Sequence, residues 1–200
     1  MIIEVATGEK LMSFEQYLDF EEKSEVKHEF DNGKLIEMPG GTISHNNLGG
    51  RIITLLNNHF DTRDIDDYLV LSSDQKVFLP LPNLGTYPDV TVVEGAPEFW
   101  ADRKDVILNP YLLVEVLSPG TEKYDRGSKF DSYRTLPSLR EYVLVSQDEP
   151  YVQAWYLHDP ENNLWKISEA RGMEASIQFI SIGCTLQLKD IYRRVKFMAN

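Results

Sequence analysis

The run LLVEVL at residues 112–117 constrains this 200-residue chain more than any other feature. Leu112, Leu113, Val114, Val116 and Leu117 leave no polar face, which suits a β-strand covered on both sides and therefore central in its sheet. Covering layers have to come from the rest of the chain, and its periodicity supplies them. The segment 12–23 reads as a short helix capped by Ser13, with Phe14, Tyr17, Leu18 and Phe20 as its apolar contacts. Asp31, Asn32 and Gly33 mark a tight turn between two short strands, the second closed by Pro39 and the glycines after it. From Thr42 to about Phe60, Leu48, Ile52, Leu55, Leu56 and His59 recur at helical spacing, which predicts a long amphipathic helix.

Beyond a polar connection come YLVLSS, a turn, DQKVFL, a loop marked by Pro80 and Pro82, and the strand TYPDVTVV. After the central strand, Thr121 is expected to cap a helix that ends before Pro137, and EYVLVS is a strand that pairs alongside. Two alternating strands around an Asp-Pro-Glu-Asn-Asn turn, a short strand near residues 177–180 and a helical turn from Lys189 complete the chain. The expected fold class is α/β: a mixed central sheet flanked by helices, with additional antiparallel strands, in one domain spanning 1–200.

Composition narrows the function. No apolar run reaches the ~20 residues of a membrane helix, and the opening MIIEVATGEK lacks a basic leader, so the expectation is a cytoplasmic protein without membrane contact. The lone Cys184 suits a small core residue, and no zinc-ligand spacing or phosphate-binding glycine pattern occurs. A net charge of −12 argues against a simple nucleic-acid coat protein. It argues less against a metal-dependent nuclease, where carboxylates gather around cations that restore positive potential.

Glu115 is the residue that asks for an explanation, because a carboxylate inside an apolar strand is costly unless paired or metal-bound. Asp89 follows Pro88 at the head of another strand. If the two strands are neighbours, both carboxylates, with the Val116 backbone carbonyl, offer the oxygen ligands that a hard divalent ion prefers. Two plainer readings stand beside this one: Glu115 pairs with a buried Arg or Lys, and Asp89 caps a turn.

The succession HEFDNGKLIEMPGG, SHNN, YPDVTVV, LLVEVLSPGT, DRGSKFDSY and EYVLV, over about residues 13–190, resembles the Uma-type restriction endonucleases, formerly a domain of unknown function. That family resembles the PD-(D/E)XK nuclease superfamily. The resemblance implies phosphodiester hydrolysis, with DNA as substrate and Mg2+ (or Mn2+) as cofactor. Carried over, the superfamily's acidic pair falls on Asp89 and Glu115. Its lysine would stand at 117, where this chain has Leu117, and the resemblance places it instead at Lys129 on the following helix. Asp125, Lys129 and Tyr133 recur every four residues and would share one helix face; a surface ion pair between the first two is the plain alternative. Lys76, on the strand before the PDV segment, is a second possible donor. Glu29 and His45 are further candidates, against readings as a solvated strand-end acid and a helix-capping polar residue. His28, His59 and His158 have no informative partners.

A nuclease cutting both strands of a duplex implies a homodimer. Two other classes remain open: a catalytically silent nucleic-acid-binding or regulatory module on the same fold, and an interaction scaffold using the aromatics around Trp155, Tyr156 and Trp165.

Overall fold

A computed structural model describes residues 11–197; the opening decapeptide, read above for a leader, lies outside them. Helix α1 (Phe14–Glu21) begins with a capping box: the Ser13 hydroxyl accepts from the Gln16 N–H and the Gln16 side chain accepts from the Ser13 N–H. Strands β1 (His28–Asp31) and β2 (Lys34–Glu37) join through Asn32 and Gly33, both at positive φ (47° and 92°), as a two-residue hairpin turn requires. Thr42 caps α2 (Ile43–Asp61) by accepting from the His45 N–H.

Strands β3 (Tyr68–Ser72), β4 (Lys76–Leu79), β5 (Leu84–Thr86), β6 (Val90–Glu94), β7 (Phe99–Trp100), β8 (Arg103–Ile107), β9 (Leu112–Leu117), β10 (Glu141–Ser146), β11 (Tyr151–Asp159) and β12 (Leu164–Arg171) divide between two six-stranded sheets. The main sheet runs β12-β11-β10-β9-β6-β3, and the other runs β2-β1-β5-β4-β8-β7. Both are mixed: β9 pairs with β10, and β4 with β8, in parallel, while the remaining pairs are antiparallel. β3 and β4, separated in sequence by one short turn, thus belong to different sheets. A third, two-stranded sheet of β13 (Ser176–Phe179) and β14 (Cys184–Gln187) leads into α5 (Leu188–Ile191).

β9 is central, as its composition demands, with all six residues buried. Leu112, Val114 and Val116 pack in one core cluster with Leu48, Ile52, Leu56 and Phe60 of α2 and with the β13–β14 hairpin, including the buried Cys184. Leu113 and Leu117 pack in another with Val77, Leu79 and Leu84 of the second sheet and with Phe130 and Tyr133. Each such side chain removed from water stabilises the fold by about 1.5–3 kcal/mol. By strand alternation Glu115 shares the face of Leu113 and Leu117.

The helix expected between Thr121 and Pro137 is broken. α3 (Glu122–Tyr124) and α4 (Phe130–Tyr133) flank a wide turn, Asp125–Lys129, where Gly127 leaves helical geometry at φ −115°, ψ −108°. Thr121 stands at the start of α3, but its side chain makes no capping bond. The Ser118 hydroxyl instead accepts from the Thr121 N–H. Trp155 and Trp165 close on Phe130, with ring centroids 4.8 and 5.4 Å away, so these aromatics are occupied by the protein's own interior. Among the described residues no helix is long and apolar enough to cross a membrane.

Candidate active site

The register of β6 on β9 pairs Val90 with Val114 and ends there, which sets Asp89, one residue before β6, beside Glu115 and Val116. Asp89 extends the ladder through its side chain, its Oδ2 accepting from the Val116 N–H at 2.7 Å. His45, in the first turn of α2, places Nε2 3.3 Å from the same oxygen. That hydrogen bond to Asp89 raises the imidazole above its usual pKa against the opposing effect of burial. Gly41 permits the approach, because a Cβ there would lie 2.9 Å from His45 Nδ1.

On the deeper side, Lys129 is buried among acids. Its Nζ lies 2.9 Å from Glu115 Oε1, 3.0 Å from Glu29 Oε1 and 3.6 Å from Asp125 Oδ1. Its side chain is 6% exposed, and those of Glu29, Glu115 and Asp125 are 4–7% exposed. The reading of Asp125–Lys129 as a surface ion pair therefore fails, as does that of Glu29 as a solvated strand-end acid. Glu29 also accepts a short hydrogen bond from the Thr86 hydroxyl. Tyr133, fully buried, donates its phenol to Glu115 Oε1 at 2.7 Å.

Several acids around one lysine leave Glu115 poorly compensated. Burial pushes its carboxyl up from 4.5 to about 8, with Asp125 and Asp89 adding to the rise and Lys129 and Tyr133 opposing it. Asp125 is raised, again chiefly by burial. Burial works against the Lys129 charge, but Glu115 and Glu29 outweigh it and hold the ammonium well above its ordinary range.

Asp89, Glu115, Val116, Glu29, His45, Asp125 and Lys129 all line one cavity of about 440 Å3, and Tyr133 supports it from behind. Lys76 is not brought there; its ammonium pairs with Asp105 Oδ2 at 2.9 Å. Sequence reasoning missed Thr86 and Tyr87, which immediately precede the Pro-Asp pair, and Tyr124, one residue before Asp125. It also missed Gln147, which accepts from the hydroxyl of the α2 cap Thr42. Adjacency to the PD and DxxxK blocks was the available signal for the first three; Gln147 is linked only through space.

Oxygen donors of this kind suit a hard divalent ion. Among the described residues, Glu115 Oε2 and Asp89 Oδ1 make no hydrogen bond, while their sister oxygens are tethered. No three His, Cys, Asp or Glu side chains among the described residues form a ready cluster. Two carboxylates, a backbone carbonyl and water are the donors that remain, and magnesium commonly keeps several waters.

A family model described as "Uma2: Putative restriction endonuclease" matches residues 14–189. Two proteins of Synechocystis sp. are similar along nearly their whole lengths. Uncharacterized protein slr1290 is 35% identical over 188 residues, covering 93% of this chain and 94% of the relative. Uncharacterized protein sll1609 is 31% identical over 175 residues, covering 88% and 96%. A crystal structure from Anabaena variabilis, described as a "putative nuclease belonging to DUF820", superposes with a TM-score of 0.72 at 14% identity, covering 90% of this chain and 97% of that one. That likeness shows a shared fold.

Proposed function

Since the chain belongs to the Uma2 family of restriction-endonuclease-like proteins, we propose that its cleft hydrolyses phosphodiester bonds in DNA with Mg2+ or Mn2+ as cofactor. The observation that carries the reading is the meeting of three elements at one floor: Asp89 before β6, Glu115 on β9 and Lys129 from the kinked helical segment.

Asp89, Glu115 and the Val116 carbonyl would hold the ion. Bound there, it would polarise the phosphate and lower the pKa of the attacking water. Tyr133 and Lys129 both bind Oε1 of Glu115, so Oε2 is the oxygen that would be free to take the ion. The Lys129 ammonium has three N–H donors. Glu115 and Glu29 take two at hydrogen-bond distance, whereas Asp125 at 3.6 Å is too far for a short bond. The third donor is thus available to a phosphate oxygen or to the attacking water, where it would stabilise the charge that develops in the transition state.

Mixed DNA substrates incubated with and without Mg2+ test the reading, alongside Mn2+ titration calorimetry. Asp89→Asn should lose both cleavage and metal binding, while its amide oxygen can still accept from the Val116 N–H. Metal-independent cleavage, or wild-type Mn2+ binding unchanged by the substitution, would refute it.

A further inference from the structure

The reach of the floor decides what substrate can use it. Glu115 and Lys129 are each 6% exposed at the side chain, so a phosphate must descend into the cavity to touch them. At about 440 Å3 the space is that of a single small ligand. A base-paired duplex carries its phosphates on the outside of a rod too wide to enter.

The walls point the same way. Ile36, Met38, Pro39, Tyr87 and Tyr124 give them an apolar and aromatic character, and Lys129 is the one Lys or Arg among the described lining residues. Duplex binding draws its affinity from several phosphates neutralised by Lys and Arg. Here the one lining lysine is engaged by Glu115 and Glu29, and the lining His45 by Asp89, in a chain of net charge −12. Unpaired strands can be held by stacking bases on aromatic rings, a mode tolerant of sequence and less dependent on clustered cations. Tyr124 offers such a ring: it lines the cleft half-buried on α3, with Lys129 Nζ over one face, 5.6 Å from its centroid. A base against that ring would bring its own phosphate to the floor.

Resting on the hydrolytic reading above, we infer that the cleft admits one unpaired nucleotide at a time. Its substrate is then single-stranded DNA, or a nucleotide freed from its partner in a locally opened duplex. Fluorescence anisotropy in Ca2+ should give a 12-nucleotide single strand at least tenfold tighter binding than a blunt hairpin of the same sequence. In Mg2+, a bubble should be cut within its unpaired region and the hairpin stem left intact. Tyr124→Ala should weaken single-strand binding roughly tenfold. Tyr124→Phe should retain it, and unfolding curves would show that both variants are folded. Equal binding or cutting of paired and unpaired DNA, no binding of either, or unchanged affinity in a folded Tyr124→Ala would overturn the inference. Strand-selective binding without cleavage under any metal would uphold the selectivity and refute hydrolysis instead.

Discussion

Replacing Lys129 by methionine keeps most of the side chain's volume and removes the cation from between Glu115, Glu29 and Asp125. The sequence invites the view that a solvent-facing lysine can be lost at little cost to folding. A 6% exposed ammonium gives the opposite expectation, because breaking a buried pair leaves an uncompensated charge worth about 3–5 kcal/mol. The loss should depend on pH, with a definite sign. Burial raises the Glu115 carboxyl from 4.5 to about 8, so the folded state binds more protons than the unfolded state in that window, and wild-type stability falls as pH climbs through it. Above about pH 8 the wild-type curve levels off as far as this group is concerned. Without Lys129 the carboxyl is pushed higher still, and the fall continues at up to ~1.4 kcal/mol per pH unit. Urea unfolding in EDTA at pH 6, 7.5 and 9 measures the gap between variant and wild type. It should reach about 3–5 kcal/mol at pH 9 and be smaller by about 1.4 kcal/mol at pH 6, where the Glu115 carboxyl is protonated with or without Lys129. Parallel curves, or a gap below ~1 kcal/mol at pH 9, would show that the ammonium does not compensate these carboxylates.

Leu117→Ala, at the position where the superfamily pattern places its lysine, should cost about 2–5 kcal/mol in urea unfolding through a cavity in the second core cluster, with cleavage per folded molecule retained. Tyr133→Phe removes the 2.7 Å bond to Glu115 Oε1, a hydrogen bond to a charged group worth ~1.5–3 kcal/mol. Because that bond holds the Glu115 pKa down, Mn2+ calorimetry across pH should find the onset of binding shifted to higher pH, and an unshifted onset would remove Tyr133 from the site. A homodimer, if two clefts act on opposite strands, should appear in light scattering at micromolar concentration; a monomer mass across that range would leave each cleft to act alone.

Those residues differ in how plainly the sequence announced them. Glu115 stood out because its neighbours on β9 are all apolar, and Asn32-Gly33 announced its turn by the backbone it requires. Lys129 was reached only by resemblance, since helical spacing relates it to Asp125 and Tyr133 and says nothing of burial, which is set by Glu29 and Glu115 arriving from two different sheets. β7 and β8 were overlooked because Arg103, Lys104 and Asp105 interrupt any alternation and only Val106 and Ile107 of β8 are buried. β14 was overlooked although Cys184 and Leu186 do alternate with polar residues, in a strand four residues long. That β3 and β4 part into separate sheets depends on the partners each finds in space, β6 for β3, and β5 and β8 for β4.

The bond from the Val116 N–H to Asp89 gives the protein a built-in reporter. The amide lies in the main chain of β9, yet its hydrogen-bond acceptor is the side chain assigned to the ion. Any ligand that withdraws electron density from Asp89 weakens that acceptor, and the nitrogen-attached proton of Val116 registers the change while remaining in its strand. If Asp89 takes the ion, occupancy of the cleft should be read in a nitrogen-15-labelled sample as a chemical-shift change at the Val116 amide, without a substrate or turnover.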